Sequence, residues 1–277
     1  MHRRLVHFIF GLRPQREPFH LLHYLAIASC RSVIQPDEIQ LHVHHLPYGI
    51  YWDLVRPLVT LHRIEPVAEV AQRAAPEWLI PLRYAHHADV IRLDLLAQHG
   101  GMYADMDTLF VRPIPDELWT QQAVIGRENP VDYFDSDGPE DSLTNALMLS
   151  QPSSSFITQW REQIIDAMND TWSGHSCRLA TRIAAEHPGL VRIEPQSSFS
   201  PFAHTVEGIR TLLEGAYDPQ VLAHTFSVHL CAHLWWDFGR RDFSAVSASE
   251  VTEGYIRNVN TNLTGLARPF LPEHDLF

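Results

Sequence analysis

The sequence predicts an α/β fold: an open, Rossmann-like, mostly parallel sheet flanked by helices. Three observations carry that prediction. The chain begins with an apolar run at 6–10 (VHFIF), a stretch of helical spacing at 19–32 and an alternating run at 39–45 (IQLHVHH). That order is strand, helix, strand, the unit from which parallel sheets are built. Further on, an apolar helix at 84–99 runs through Gly100 and Gly101 into a short strand at 102–104. Finally, 277 residues at 45% hydrophobic and 19% charged can fill one large core and exclude global disorder.

Each element follows from local pattern. In 19–32, Leu22, Leu25, Ala26 and Ser29 recur at helical intervals, and Pro36 lies beyond the end. The segment 48–58 is rich in aromatic residues and proline and reads as a loop before a short strand at 61–64. In 84–99, Val90, Ile91, Leu93, Leu95 and Leu96 spread around the helix, so it is buried on most sides. Asp89 and Arg92, three apart, share a face of it. Gly100 suits a left-handed cap and Gly101 a tight turn. Residues 108–111 continue extended to Pro113. Helices are expected at 154–168, with Phe156, Ile157, Trp160 and Ile164 on one stripe, and at 177–186. Loops are expected at 132–141, which is acidic, and at 196–203.

Composition excludes several functions. A net charge of −12 argues against a nucleic-acid or anionic-membrane surface. All 21 basic residues are arginine. Schiff-base catalysis and a lysine-containing phosphate loop are therefore out, and phosphate must be met by arginine, backbone amides or a metal. Cys30, Cys177 and Cys231 have no zinc spacing and form no disulfide framework. The apolar run at 5–12 is too short to span a bilayer, and His7 interrupts it. A cytoplasmic protein without a transmembrane segment, at most peripheral to a membrane, is expected.

The chemistry concentrates in Asp105 and Asp107. Alternate residues on a strand point the same way, so two carboxylates at a strand end face a common point. In open α/β sheets ligands gather beyond the carboxyl ends of the strands. Such a pair suits a hard divalent cation, Mn2+ or Mg2+, that also takes phosphate oxygens. A D-x-D alone is common; the buried acidic helix, the double glycine and the apolar strand before it make this one specific. Asp89 and Arg92 read equally well as a buried ion pair or as a ligand-orienting pair.

The run Asp89-Val-Ile-Arg92, followed by Gly100-Gly101-Met-Tyr103-Ala-Asp105-Met-Asp107, resembles the sugar-binding region of DXD-containing glycosyltransferases, the Och1-like, α1,4-galactosyltransferase-like and clostridial-toxin-like group (glycosyltransferase family 32-like). The close match covers 84–113, and a looser one includes Asn145 to Met148 and the tail rich in His and Trp. The resemblance implies a single GT-A domain, with a donor-binding half at about 1–115 and an acceptor or lid half at about 116–277. It implies transfer of a hexose from a UDP- or GDP-sugar to a glycan or other hydroxyl acceptor, with retention of configuration. It assigns Asp105 and Asp107 to catalysis and the metal. The donor falls to Asp89, Arg92, Tyr103 and Asp105, with Trp235 and Trp236 of the tail as further donor-binding residues and His229 and His233 as further metal ligands.

The remaining histidines, including His42, His44, His45, His86 and His87, read as surface or hydrogen-bonded side chains, because none has zinc spacing. Adjacent tryptophans on an extended chain face opposite sides, so one of Trp235 and Trp236 is expected to line a cleft. Glu128, Asp132 and Asp141 are further carboxylate candidates. Two other readings stand beside the transferase. One is a haloacid-dehalogenase-like phosphohydrolase using Asp105, Asp107 and Thr108, which normally needs its motif on the first strand and a downstream lysine. The other is a non-catalytic protein that binds sugar nucleotides.

Overall fold

The computed structural model describes residues 3–75, 77–128, 142–169, 171–236 and 243–273. Its centre is a seven-stranded sheet in the order β3-β2-β1-β4-β7-β6-β8. The strands are β1 (Leu5–Phe10), β2 (Glu38–Val43), β3 (Thr60–Arg63), β4 (Gly101–Ala104), β6 (Ala123–Glu128), β7 (Ser142–Ser150) and β8 (Arg192–Glu194). The neighbours β1, β2, β3 and β4 pair in parallel, whereas β7 runs against both β4 and β6. A separate two-stranded sheet pairs β5 (Thr108–Phe110) with β9 (Ser227–His229). The mostly parallel α/β sheet is as expected, and strands from both halves of the chain share it.

β1 is buried along its length because both faces of the sheet are covered. Val6 and Phe8 enter one core with Phe19, Leu41 and Phe199. Ile9 enters the other, formed by the helices Arg83–His99, Ser155–Ile164 and Cys177–Glu186. A third core in the C-terminal region gathers Leu21, Leu22 and Leu25 with Val228, Leu230 and Trp235.

The double glycine has a measurable cause. Gly101 has φ +91, and a Cβ there would lie 2.5 Å from the Leu5 carbonyl oxygen, so β4 approaches β1 where no side chain fits. Gly100 has φ 64 and ψ −157 and is not the left-handed cap the sequence suggests. It turns the chain directly into extended geometry.

Two other expectations change. Residues 48–58 are not loop: a helix spans Ile50–Val55 and a 3-10 turn Arg56–Leu58. Only Val55 of that helix is buried, so the aromatic residues hide a weak period. The stretch 196–203 contains a short helix, Gln196–Phe199. The first helix is regular over Leu21–Ser29 and continues as a π-helical turn to Ile34, stopped by Gln35 at φ 50 before Pro36. The acidic loop at 132–141, with Asp132 and Asp141, lies outside the described residues.

One histidine group belongs to the fold. His7 on β1 meets His42 on β2, Nδ1 to Nε2, at 3.1 Å, and His42 stacks on His62 of β3 at 5.2 Å between ring centroids. His42 is therefore a buried, hydrogen-bonded side chain and not a surface one. His7 Nε2 reaches the Gly100 carbonyl at 3.0 Å, tying the ladder to the helix end.

Candidate active site

Asp105 and Asp107 do not sit on the strand itself but in the turn between β4 and β5. The Asp105 amide donates to Ala146 O at 2.8 Å, closing the ladder with β7, and the Thr108 amide donates to Asp105 O at 3.1 Å. Met106 goes into the core while the flanking carboxylates emerge. Convergence thus comes from a hydrogen-bonded turn, not from strand alternation.

The pairing of β5 with β9 sets Thr108 opposite His229. His229 Nε2 is 3.3 Å from Asp107 Oδ1 and 3.9 Å from Asp105 Oδ2. Backbone holds Asp107 from the other side: the Ala232 amide donates to its Oδ2 at 2.7 Å, and the Leu230 amide to its carbonyl at 2.9 Å. Carboxylate and imidazole donor atoms of Asp105, Asp107 and His229 lie within 4.8 Å of one another.

The Arg83–His99 helix brings Arg92 beneath this turn. The buried guanidinium is 3.3 Å from Asp105 Oδ1 and 3.1 Å from Asp89 Oδ1, and donates to Asn145 O at 2.7 Å. It also lies over the Tyr103 ring, 4.5 Å from its centroid. Tyr103 Oη donates to Asp105 Oδ1 at 2.6 Å. Asp89 receives Asn145 Nδ2 at 2.7 Å and faces His175 Nε2 at 3.0 Å. Asp89, Arg92, Tyr103 and Asp105 are one buried polar network, whose members polarise one another in a low dielectric.

The network splits the carboxylates electrostatically. Burial pushes the Asp105 carboxyl up, against the pull of Arg92 and His229. Asp107 is also desolvated, but the charge and hydrogen bond of His229 and the Ala232 amide bring it below the usual carboxylate range. Burial opposes charge on His229, yet Cys231 and Asp107 raise it well above an ordinary histidine. Asp89 is lowered to about 2, with Arg92 and His175 overcoming its burial. A divalent cation between Asp105 and Asp107 would stabilise both as carboxylates, and two hard oxygens with one imidazole are a fitting donor set for it.

These groups open into a cleft of about 900 Å³. Its walls include Asp89, Arg92, Tyr103, Asp105, Asp107, Glu128, His229, His233 and Trp236, together with Arg13, His23, Tyr84, Trp172 and His204. Trp236 stacks on His23, 5.3 Å between centroids at 13°. Trp235 is elsewhere: it is 1% exposed in the C-terminal core, with Nε1 donating to Leu230 O at 2.7 Å. Trp235 as a donor-binding residue is therefore corrected to a packing residue. His233 lines the cleft and stacks on Trp172 at 5.6 Å, outside the donor group formed by the aspartates and His229.

Sequence reasoning did not find His175, His23, His204 or Trp172. They come from loops and from the first turn of the first helix, where nothing periodic marks a residue that long-range packing brings to the cleft.

The fold is of GT-A type, and the chain is similar to glycosyltransferases in a region containing the DXD motif. Residues 60–125 match the model described as the glycosyltransferase sugar-binding region containing DXD motif. Glucan organizing enzyme 1 of Cryptococcus neoformans var. grubii is 29% identical over 279 residues, covering 98% of this chain and 71% of that protein. The galactosyltransferase LgtC, solved with donor and acceptor sugar analogs, superposes with a TM-score of 0.50 at 15% identity, covering 97% of this chain and 98% of that one. The phosphohydrolase alternative fits poorly: the motif follows β4, not β1, and the sequence has no lysine. No helix among the described residues is long and apolar enough to cross a membrane.

Proposed function

We propose that the chain transfers a hexose from a nucleoside-diphosphate donor, UDP- or GDP-linked, to a hydroxyl of a glycan acceptor, with help from Mn2+ or Mg2+. The observation that carries this reading is the convergence of Asp105, Asp107 and His229 at the mouth of a cleft floored by Arg92 and Asp89. A divalent cation bound there would neutralise charge building on the departing diphosphate. Asp105, Asp107 and His229 would hold it, with Mn2+ favoured over Mg2+ by the imidazole.

The chain's own residues do the rest. Arg92 stays charged and fixed by Asp89, Asp105 and the Asn145 carbonyl, so the floor of the cleft keeps one polarity without reorganising. Asp89 is the carboxylate proposed to receive sugar hydroxyls, and His175 and Asn145 fix its rotamer. Trp236, steadied by His23, offers an aromatic face to a base or sugar ring. The name of the fungal relative supports a polysaccharide as acceptor. Retention of configuration, the division into donor and acceptor halves and a cytoplasmic site of action belong to the same proposal.

The test is thermal unfolding with UDP, GDP and their sugar conjugates, each with Mn2+ or with chelator. A ligand at a hundred times its dissociation constant adds about 2.7 kcal/mol, which raises the midpoint by several degrees. A Mn2+-dependent rise with one nucleotide, abolished in Asp107→Asn, is the expected result and names the base. A folded protein that shifts with no nucleotide overturns the proposal.

A further inference from the structure

His229 offers one ring nitrogen to the aspartates and turns the other toward sulfur. Its Nδ1 is 3.7 Å from Cys231 Sγ. His204 stands on the same side, its ring 5.5 Å from that of His229. One ligand atom each from His204, His229 and Cys231 lies within 4.8 Å of the other two.

The sulfur–nitrogen distance matches a known coordination geometry. Zinc bonds of about 2.3 Å to sulfur and about 2.05 Å to nitrogen, at a tetrahedral angle, set the two ligand atoms about 3.6 Å apart. The Sγ to Nδ1 distance of 3.7 Å needs almost no adjustment to accept such an ion. Three protein ligands leave a fourth position, and His204 and His229 both line the cleft through which an ion would enter.

The backbone adds a second observation. Cys231 adopts φ 49, ψ 45, a left-handed conformation that favours glycine or asparagine. The turn itself is explained, because it aims the Ala232 amide at Asp107. The side chain is fully buried between the third core and the His229 imidazole, where Sγ also donates to the His229 carbonyl at 3.7 Å.

The geometry points to a second metal seat, formed by His204, His229 and Cys231, that takes a soft or borderline ion such as Zn2+. Binding forms a metal–thiolate bond and metal–nitrogen bonds, and releases the thiol proton and the Nδ1 proton of His229 to solvent, with no change of oxidation state. His229 meets the two seats with different ring nitrogens, and a neutral imidazole has one lone pair to give, so a soft ion on Nδ1 competes with the hard cation at Asp105 and Asp107. The competition rests on the cation reading above; the soft seat stands on its own ligands.

The test uses Co2+ as an optical stand-in for Zn2+, added to the metal-free protein. The expected result is an intense thiolate-to-cobalt charge-transfer band with tetrahedral visible bands. Both vanish in Cys231→Ser, weaken at least tenfold in His204→Gln, and persist in Asp105→Asn. Weak octahedral bands alone, or a sulfur band unchanged by Cys231→Ser in folded protein, would overturn the seat. Paramagnetic resonance of bound Mn2+ then reads the competition. One equivalent of Zn2+ should release Mn2+ from the wild type and leave it in place in Cys231→Ser. If Mn2+ binds none of these proteins, the cation reading fails, while the cobalt spectrum still decides the soft seat.

Discussion

His229 and His42 are both largely buried imidazoles on strands, and their neighbours treat them oppositely. His229 faces two carboxylates and a thiol, which favour its charged form despite burial. His42 faces His7, His62 and His99; burial first, and those rings next, lower it to about 3. The same side chain is an electrostatic component beside Asp107 and a neutral hydrogen-bonding spacer between β1 and β2. Partners decide its role more than depth does.

The largest expected effect lies at the charged end. Asp107→Asn keeps the shape but removes the charge that His229 and the Ala232 amide answer. Sugar transfer should fall on the order of 10²–10³-fold, as when a preorganised electrostatic group is removed, and stability should fall as well, because His229 loses its ion-pair partner. Steady-state turnover beside a denaturant curve checks both halves. An unaltered rate would show the charged end to be no more functional than the neutral one.

Next comes Arg92→Met, which strands Asp89 and Asp105 in the interior. Breaking a buried pair by removing one partner costs about 3–5 kcal/mol. A midpoint in urea that barely moves would show that these carboxylates are less desolvated than their burial implies.

The neutral end sets the acid response. Below about 6.5 an unfolded histidine takes up a proton that folded His7 refuses to about 4 and folded His42 to about 3. The unfolded state then binds more protons, so stability declines as pH falls through that window and is regained above it. The groups facing the ladder are His99 and Glu38, and for His7 the Gly100 carbonyl. Each such histidine contributes a slope of about 1.4 kcal/mol per pH unit. His42→Leu should therefore flatten the stability curve between pH 4 and 6 by roughly one proton's slope. A curve parallel to the wild type would remove the ladder from the acid response.

The smallest effect is expected at the sheet edge, where Arg63 and Glu65 pair at 3.4 Å with both side chains mostly exposed. Arg63→Ala should change stability by less than about 1 kcal/mol, and less still in high salt.

Patterns within a short window made much of this legible. Asp89, Arg92, the double glycine and Asp105-Met-Asp107 lie in one contiguous run, and each has a local reason to be where it is. The Cys177–Glu186 helix was equally plain, because its apolar stripe is regular. What stayed hidden depends on distant packing. His175 reaches Asp89 from a loop, His204 reaches His229 from another, and Trp235 goes inward while Trp236 lines the cleft. The tryptophan pair illustrates the limit: adjacency says they diverge, and only the third core says which one is inside.

The pairing of β5 with β9 also fixes when the site comes into being. Asp107 and the Ala232 amide that holds it are 125 residues apart in the chain. At ribosomal speeds of about 5–20 residues per second, the second partner is made roughly 6–25 s after the first. Until then the two aspartates lack their imidazole and their amide, and a nascent chain has no complete seat for a cation. A cation held there would therefore be loaded late in the birth of this protein, after long-range pairing of the kind that slows folding.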